Sequence, residues 1–267
     1  MSEINFIKIQ STGNDFIVVD FNQVTDAFFE KETIVKICHR HFGVGADGVI
    51  ALEKLKDYAF RFHYYNADGS RAAMCGNGLR AAIRFAYDKK WVGEKEIFRF
   101  KADDGEHQGQ VFNGLIKASI LVKDQINKLA IADFNLPDWI DGMYQINTGV
   151  PHIVLTCTED IKNKEIFTLG RELRYHDAFS HGTNVNFVKI IDMDRIYLRT
   201  YERGVENETL SCGTGMTASS LVMKSYFDFS NEIDIIANGG NLKVTFEKDN
   251  IFIQGPSECS FKGTIVI

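Results

Sequence analysis

The chain has 267 residues, 45% of them hydrophobic and 25% charged, with a formal net charge of -6. That length suits two domains with sizeable cores, and the acidic balance argues against a nucleic-acid or anionic-membrane surface, which needs a basic field. No stretch approaches the roughly 20 apolar residues of a membrane span, and the first residues lack the basic lead and apolar core of a secretion signal, so a cytoplasmic protein is expected.

Residues 4–9 and 16–21 read as short strands around a polar turn. Residues 30–42 read as a helix, with Ile34, Ile37 and Cys38 at helical spacing. Phe42 to Gly48 is a glycine-rich loop ahead of a strand at 49–52. It lacks the third glycine and the following long helix of a dinucleotide loop. Residues 60–65 alternate and are aromatic, as a half-buried strand does, and 66–70 form a turn. After Met74-Cys75-Gly76-Asn77-Gly78 a helical stripe of Leu79, Ala82, Ile83 and Ala86 follows, then strands near 96–102, 108–113 and 115–122. Residues 123–142 have the loosest composition and mark the domain crossing. Beyond it come a strand at 152–156, a helix at 165–174, a loop at 180–184, strands at 185–190 and 195–201, and a turn at 202–209. A helix at 214–227 follows Cys212, and strands at 233–237, 241–247, 250–254 and 261–266 close the chain. The expected halves are 1–122, with the last strand 257–267 returning to it, and 123–256.

The order of the first half recurs in the second. Cys75 and Cys212 stand 137 positions apart, and Thr12-Gly13-Asn14 precedes Thr148-Gly149-Val150 by 136. Tyr65-Asn66 precedes Tyr201-Glu202 by the same 136. Anchors that keep one offset to within a residue imply two copies of one α+β fold related by pseudo-symmetry.

Each copy carries Cys-Gly-x-Gly, as Cys75-Gly76-Asn77-Gly78 and Cys212-Gly213-Thr214-Gly215, where a helix begins. A helix N-terminus offers unpaired N–H groups and a partial positive charge, which favour thiolate and bind carboxylate. One such turn alone reads as a buried thiol; two in register read as a pair of proton-transfer groups. If the halves face each other across a cleft, one thiolate takes a proton from a carbon and the other thiol returns one to its opposite face. The five cysteines, at 38, 75, 157, 212 and 259, form neither a disulfide framework nor a zinc pattern. Cys38 and Cys157 read as buried small hydrophobes. By itself His152 is a satisfied strand-end histidine and Glu202-Arg203 a solvated ion pair. Asn14, Asn66 and Asn186 would each cap a turn. The repeat brings these residues toward the expected site.

Over essentially the full chain the sequence resembles the diaminopimelate epimerases. The motifs that carry the resemblance are Gly13-Asn14-Asp15-Phe16, Asn66-Ala67-Asp68-Gly69-Ser70, Met74 to Gly78, Pro151-His152, Asn184-Val185-Asn186-Phe187, Tyr201-Glu202-Arg203-Gly204 and Ser211 to Gly215. The resemblance implies a cofactor-independent, metal-free isomerase of lysine and peptidoglycan precursor synthesis that interconverts LL- and meso-diaminopimelate. It implies two pseudo-symmetric α+β domains, each an antiparallel-rich, barrel-like sheet around a central helix, with the active site in the cleft. Cys75 and Cys212 would be the acid/base pair, supported by His152 and Glu202. Gly76, Asn77, Gly213 and Thr214 would hold the reacting carboxylate, and Asn14, Asn66, Asn186, Glu202 and Arg203 the distal amino-acid end. The expected partner is this small molecule, with a homodimer as a further expectation and no role for nucleic acid or membrane. Two positions depart from the family: Gly48, where glutamine is frequent, and Val150, where asparagine is. They keep open a racemase of another amino acid; a thiol redox or binding protein is the reading from a different class.

Overall fold

The computed structural model describes residues 3–122, 124–248 and 250–267. Met1, Ser2 and Lys123, where the second half is expected to begin, lie outside the described residues. The chain forms two compact units, residues 1–119 with 254–267, and residues 120–253.

The first unit runs β1 (Glu3–Ser11), β2 (Asn14–Asp20), α1 (Lys31–Cys38), β3 (Gly48–Glu53), β4 (Arg61–Asn66), β5 (Arg71–Ala72), α2 (Gly76–Asp88), β6 (Ile97–Ala102), β7 (Gly105–Phe112) and β8 (Leu115–Ile120). The second runs β9 (Asn127–Leu129), β10 (Ile140–Asn147), β11 (Pro151–Cys157), α3 (Phe167–Arg174), β12 (Asn184–Asp192), β13 (Arg195–Glu202), β14 (Asn207–Thr209), α4 (Gly213–Tyr226), β15 (Glu232–Ala237) and β16 (Gly240–Glu247). β17 (Asn250–Gly255) leads back to the first unit, and β18 (Glu258–Val266) pairs antiparallel with β1.

The two units share one pairing scheme. In the first, β1 is antiparallel to β2, β2 parallel to β3, β3 antiparallel to β4, β4 antiparallel to β5 and parallel to β6, and β6 antiparallel to β7. In the second, β10, β11, β12, β13, β14, β15 and β16 repeat those relations in the same order. The parallel ladders even agree in register. Phe16 stands opposite Gly48, and His152, 136 positions later, opposite Asn184. Two independent folds would not reproduce a mixed sheet at this level, so the repeat is structural.

Side chains alternate across a strand, and each sheet is covered on both faces for that reason. In the first unit Ile17, Val19, Val49, Ala51 and Tyr65 bury one face against Ile34, Ile37 and Cys38 of α1. The opposite face carries Ile50 and Phe62, which meet α2 at Gly78. In the second unit Ile153, Leu155, Val185, Phe187 and Tyr201 pack with Leu173 of α3, while α4 lies against β10, β11 and β12. Each sheet wraps its long helix but stays open, short of a closed barrel.

β5, β9 and β14 are short strands where none is expected, and α1 and β10 also differ from expectation. α1 ends at Cys38, short of residue 42, because Gly43, Val44 and Gly45 fold back onto the helix end. Val44 and Gly45 donate to the Ile37 carbonyl at 2.9 and 3.1 Å, and a side chain at Gly43 would strike the carbonyls of Lys36 and Ile37. β10 lies in a stretch read as the loose crossing and the residues after it, and it is the counterpart of β1 at the same 136-residue offset.

Candidate active site

Cys75 is the N-cap of α2, with extended backbone (φ -147°, ψ 117°), and its sulfur accepts from the Gly78 amide at 3.4 Å. A sulfur in that position takes one of the helix's orphan donors, which favours the ionised form. The space beside Gly78 is tight: a Cβ would approach the Cys75 Cβ at 3.2 Å and the Phe62 ring at 3.3 Å, so these neighbours would have to give by a few tenths of an ångström.

Asn14 and Asn77 complete the group around this thiol. Asn77 Nδ2 donates to Asn14 Oδ1 at 3.3 Å, and the Cys75 sulfur lies 3.9 Å from the same oxygen. Asn14 is held by Asp47, whose carboxylate accepts its Nδ2 at 2.6 Å and the Asp15 amide at 3.1 Å. Asp47 is in turn paired with Arg40 at 2.7 Å. Arg40 also grips Asp15 through both terminal nitrogens, at 3.0 and 2.8 Å, and Lys8 pairs with Asp15 at 2.7 Å. These cations hold the Asp15 carboxyl down to about 2 against the opposing effect of burial, which is the larger single influence. Asp47, Arg40 and Lys8 carry no motif of their own, so the sequence does not single them out. Asn66, by contrast, is engaged with its own turn, donating to the Ser70 hydroxyl at 3.0 Å.

The second unit treats its thiol differently. Cys212 caps α4 with extended backbone and lies 3.4 Å from the Thr214 hydroxyl. The Thr148 hydroxyl donates to the Thr214 carbonyl at 3.0 Å, tying the turn before β11 to the start of the helix. Beneath the first turn lies Asn186, against whose Oδ1 a side chain at Gly215 would collide. Asn186 is fully buried. Its Nδ2 donates to the Ile153 carbonyl at 2.8 Å and to His152 Nδ1 at 3.1 Å, and its Oδ1 accepts from the Thr200 hydroxyl at 3.0 Å. The Ile153 carbonyl can only accept, so the amide orientation is fixed. His152 Nδ1 must therefore accept as well, which puts the ring hydrogen on Nε2. That Nε2 is buried and has no hydrogen-bond partner among the described residues. Burial, with the Arg203 charge as a lesser cause, pulls the His152 pKa down to about 3, so the ring is neutral at physiological pH.

Register identifies the counterparts of this polar group in the first unit. Val154 stands opposite Asn186 and Asn186 opposite Thr200; in the first unit Val18 stands opposite Ile50 and Ile50 opposite Tyr64. His152, Asn186 and Thr200 thus take the places of Phe16, Ile50 and Tyr64. The first-unit set is apolar, with the Phe16 and Tyr64 rings edge to face at 6.0 Å. Tyr64 also closes the space over Gly48, where a Cβ would lie 2.6 Å from its ring and 2.6 Å from the Tyr65 carbonyl.

Glu202 and Arg203 lie at the end of β13. Glu202 accepts from the Thr209 hydroxyl at 2.9 Å. The Arg203 amide donates to Asn184 at 2.9 Å and its guanidinium to the His181 carbonyl at 3.0 Å. Among the described residues no carboxylate pairs with Arg203 within the protein, so its charge is open to an anionic ligand. Glu206 turns away from it, binding Arg174 at 2.9 Å.

The fold identifies a class of two-unit α+β proteins. The whole chain superposes on a PhzF-family phenazine biosynthesis protein from Bacillus anthracis with a TM-score of 0.75 and 15% identity, covering 100% of both chains. It superposes on a hydroxyproline epimerase from Agrobacterium vitis with a TM-score of 0.71 and 12% identity, covering 98% of this chain and 92% of that one. At such identities the likeness is one of fold alone. In sequence, the family model for diaminopimelate epimerase matches residues 6–113 and 144–259. A diaminopimelate epimerase from a Hydrogenobaculum species is 39% identical over 97% of both chains. One from Archaeoglobus fulgidus is 36% identical, covering 98% of this chain and 96% of its own. The chain belongs to the diaminopimelate epimerase family.

Proposed function

We propose that the chain interconverts LL- and meso-diaminopimelate by two-base proton transfer, with Cys75 and Cys212 as the acid/base pair. The supporting observation is the repeated N-cap cysteine: two units of one topology each start their long helix with a thiol in the same backbone conformation. The α-proton of an amino acid is weakly acidic, and removing it places negative charge on the α-carbon and its carboxylate. Backbone N–H groups at Gly76-Asn77 and Gly213-Thr214 would receive that carboxylate, and they strengthen as the charge develops. One thiolate takes the proton from one face of the carbon, and the other thiol gives a proton to the opposite face. No redox step or electron sink is needed for this chemistry.

Neutral His152, with hydrogen on Nε2, acts as a hydrogen-bond donor and not as a base. Its Nδ1 lone pair is engaged by the Asn186 amide and burial disfavours the imidazolium, so the ring does not serve as a base near neutral pH. Asn14 and Asn77 line the Cys75 side. Glu202 and Arg203 serve the distal end, where the open guanidinium matches a second α-carboxylate. Activity inside a cell and assembly as a homodimer are part of the same proposal.

The test is epimerisation of LL-diaminopimelate in deuterated water under reducing conditions. Deuterium should enter at the reacting carbon from either epimer, and Cys75→Ala or Cys212→Ala should each remove full epimerisation. Normal turnover in either variant would rule out the two-thiol scheme, and a monoamino acid outcompeting diaminopimelate would reassign the substrate.

A further inference from the structure

Arg80 is the largest fully buried side chain among the described residues. It sits one turn into α2. Nη2 donates to the Thr12 hydroxyl at 2.9 Å and to Asn77 Oδ1 at 3.0 Å, while Nε and Nη1 have no hydrogen-bond partner among the described residues. Both acceptors are neutral. A buried cation without a carboxylate is costly, and such an arrangement persists where the charge is used. Burial lowers its pKa only to about 10, which leaves the guanidinium protonated at neutral pH, and the charge that acts on it is that of Cys75.

The path from Arg80 to that thiol is short. Asn77 takes a hydrogen bond from Arg80 and gives one to Asn14 Oδ1, the oxygen beside the Cys75 sulfur. Around α2, Lys8 pairs with Asp15, Asp47 with Arg40 and, on the helix itself, Arg84 with Asp88. Glu53 and Glu258 keep their charge, because their partners are neutral: His63, whose pKa burial lowers, and the Gln10 amide. In the second unit the position equivalent to Arg80 is Thr217, which returns its hydroxyl to the Gly213 carbonyl at 3.1 Å. The strands under α4 offer neutral His152. Arg203 stands at the end of β13, part-exposed and beside Glu202, whereas Arg80 is fully buried on the helix that Cys75 caps.

We propose that Arg80 distinguishes the two thiols: its buried, unneutralised guanidinium holds Cys75 as the thiolate of the resting protein, and Cys212, with Thr217 in that place, rests as the thiol. This rests on the two-thiol reading above. In the first transfer the Cys75 sulfur forms an S–H bond as the Cα–H bond breaks, and the electron pair stays on the substrate. That pair then takes the proton of Cys212, which becomes the thiolate. Atoms and charge balance, and the resting form is restored when the two sulfurs exchange protons with solvent. Arg80 touches no reacting atom; it is a positioning residue that acts through its charge.

The test needs no substrate, so it is separable from the identity of the reaction. Iodoacetamide labelling of the native protein across pH, with each cysteine quantified by peptide mass spectrometry, gives a midpoint for each thiol. The midpoint of Cys75 should lie at least about one pH unit below that of Cys212, a roughly tenfold difference in thiolate content at lower pH. Arg80→Met should raise the Cys75 midpoint by about that much and leave Cys212 in place, while Arg80→Lys, which keeps the charge, should retain most of the native value. Equal midpoints, a lower one at Cys212, or an unchanged Cys75 in Arg80→Met would overturn the proposal. Should Arg80→Met not fold, the native comparison and Arg80→Lys still decide it. Turnover of diaminopimelate, measured separately, reports on the function alone.

Discussion

Asn186 gives one amide hydrogen to the Ile153 carbonyl and the other to His152 Nδ1, and so determines which nitrogen of that ring carries its hydrogen. Asn186→Asp should reverse the arrangement, since a carboxylate asks for the hydrogen on Nδ1. The expected results are a change of tautomer in the 15N spectrum of the ring and a fall in kcat of about a hundredfold, the scale of losing an orienting partner. An unchanged ring spectrum would mean that Asn186 does not set the tautomer.

Thr200 is one step behind. Its hydroxyl satisfies Asn186 Oδ1 in a fully buried setting. Thr200→Val keeps the shape and removes the donor, which should cost about 1–3 kcal/mol of stability. Thr200→Ser should restore most of it. Urea denaturation of the two variants makes the comparison, with the serine protein as the control for hydrogen bonding.

The buried neutral imidazole also makes stability depend on pH. His152 binds no proton in the folded state until pH falls to about 3, whereas the unfolded chain binds one below about 6.5. The unfolded state is therefore the better proton binder between those values, and stability should fall as pH falls through that window, by up to about 1.4 kcal/mol per pH unit from this ring. His152→Gln should show a shallower slope from pH 6 to pH 4 in chemical denaturation. Parallel slopes would locate the acid sensitivity elsewhere.

Asp15→Asn should be strongly destabilising. It leaves Lys8, only 5% exposed, without its counter-charge, and it loosens Arg40. Breaking a buried pair from one side typically costs about 3–5 kcal/mol. Lys8→Met in the same background should recover part of the loss, because it removes the stranded charge; a double variant no better than the single one would show that the pair is not the cause.

The motifs at Cys75 and Cys212 were legible in sequence because glycines that permit a tight helix start leave a fixed spacing. The fixed offset makes the repeat of the two halves legible as well. Some of the residues behind them are not. Thr200 and Arg80 look like an ordinary strand threonine and a helix arginine, and their roles arise only from burial and from what lies opposite them in the ladder. The offset between the halves points to both: Arg80 falls on Thr217, and Thr200 falls on Tyr64 and stands opposite Asn186, which falls on Ile50, where a polar residue in the place of an apolar one needs a partner. β10 was missed for the same reason: its likeness to β1 lies in its place in the repeat and not in its composition.

Gly48 and Tyr64 have a consequence for how this chain can change. The ring of Tyr64 and the backbone of Tyr65 occupy the space that a side chain at position 48 would need. Any side chain at position 48 therefore has to displace both the Tyr64 ring and the Tyr65 carbonyl. Gly48→Gln should be deleterious, and a smaller residue at position 64 should relieve it only in part, because the Tyr65 carbonyl also has to move.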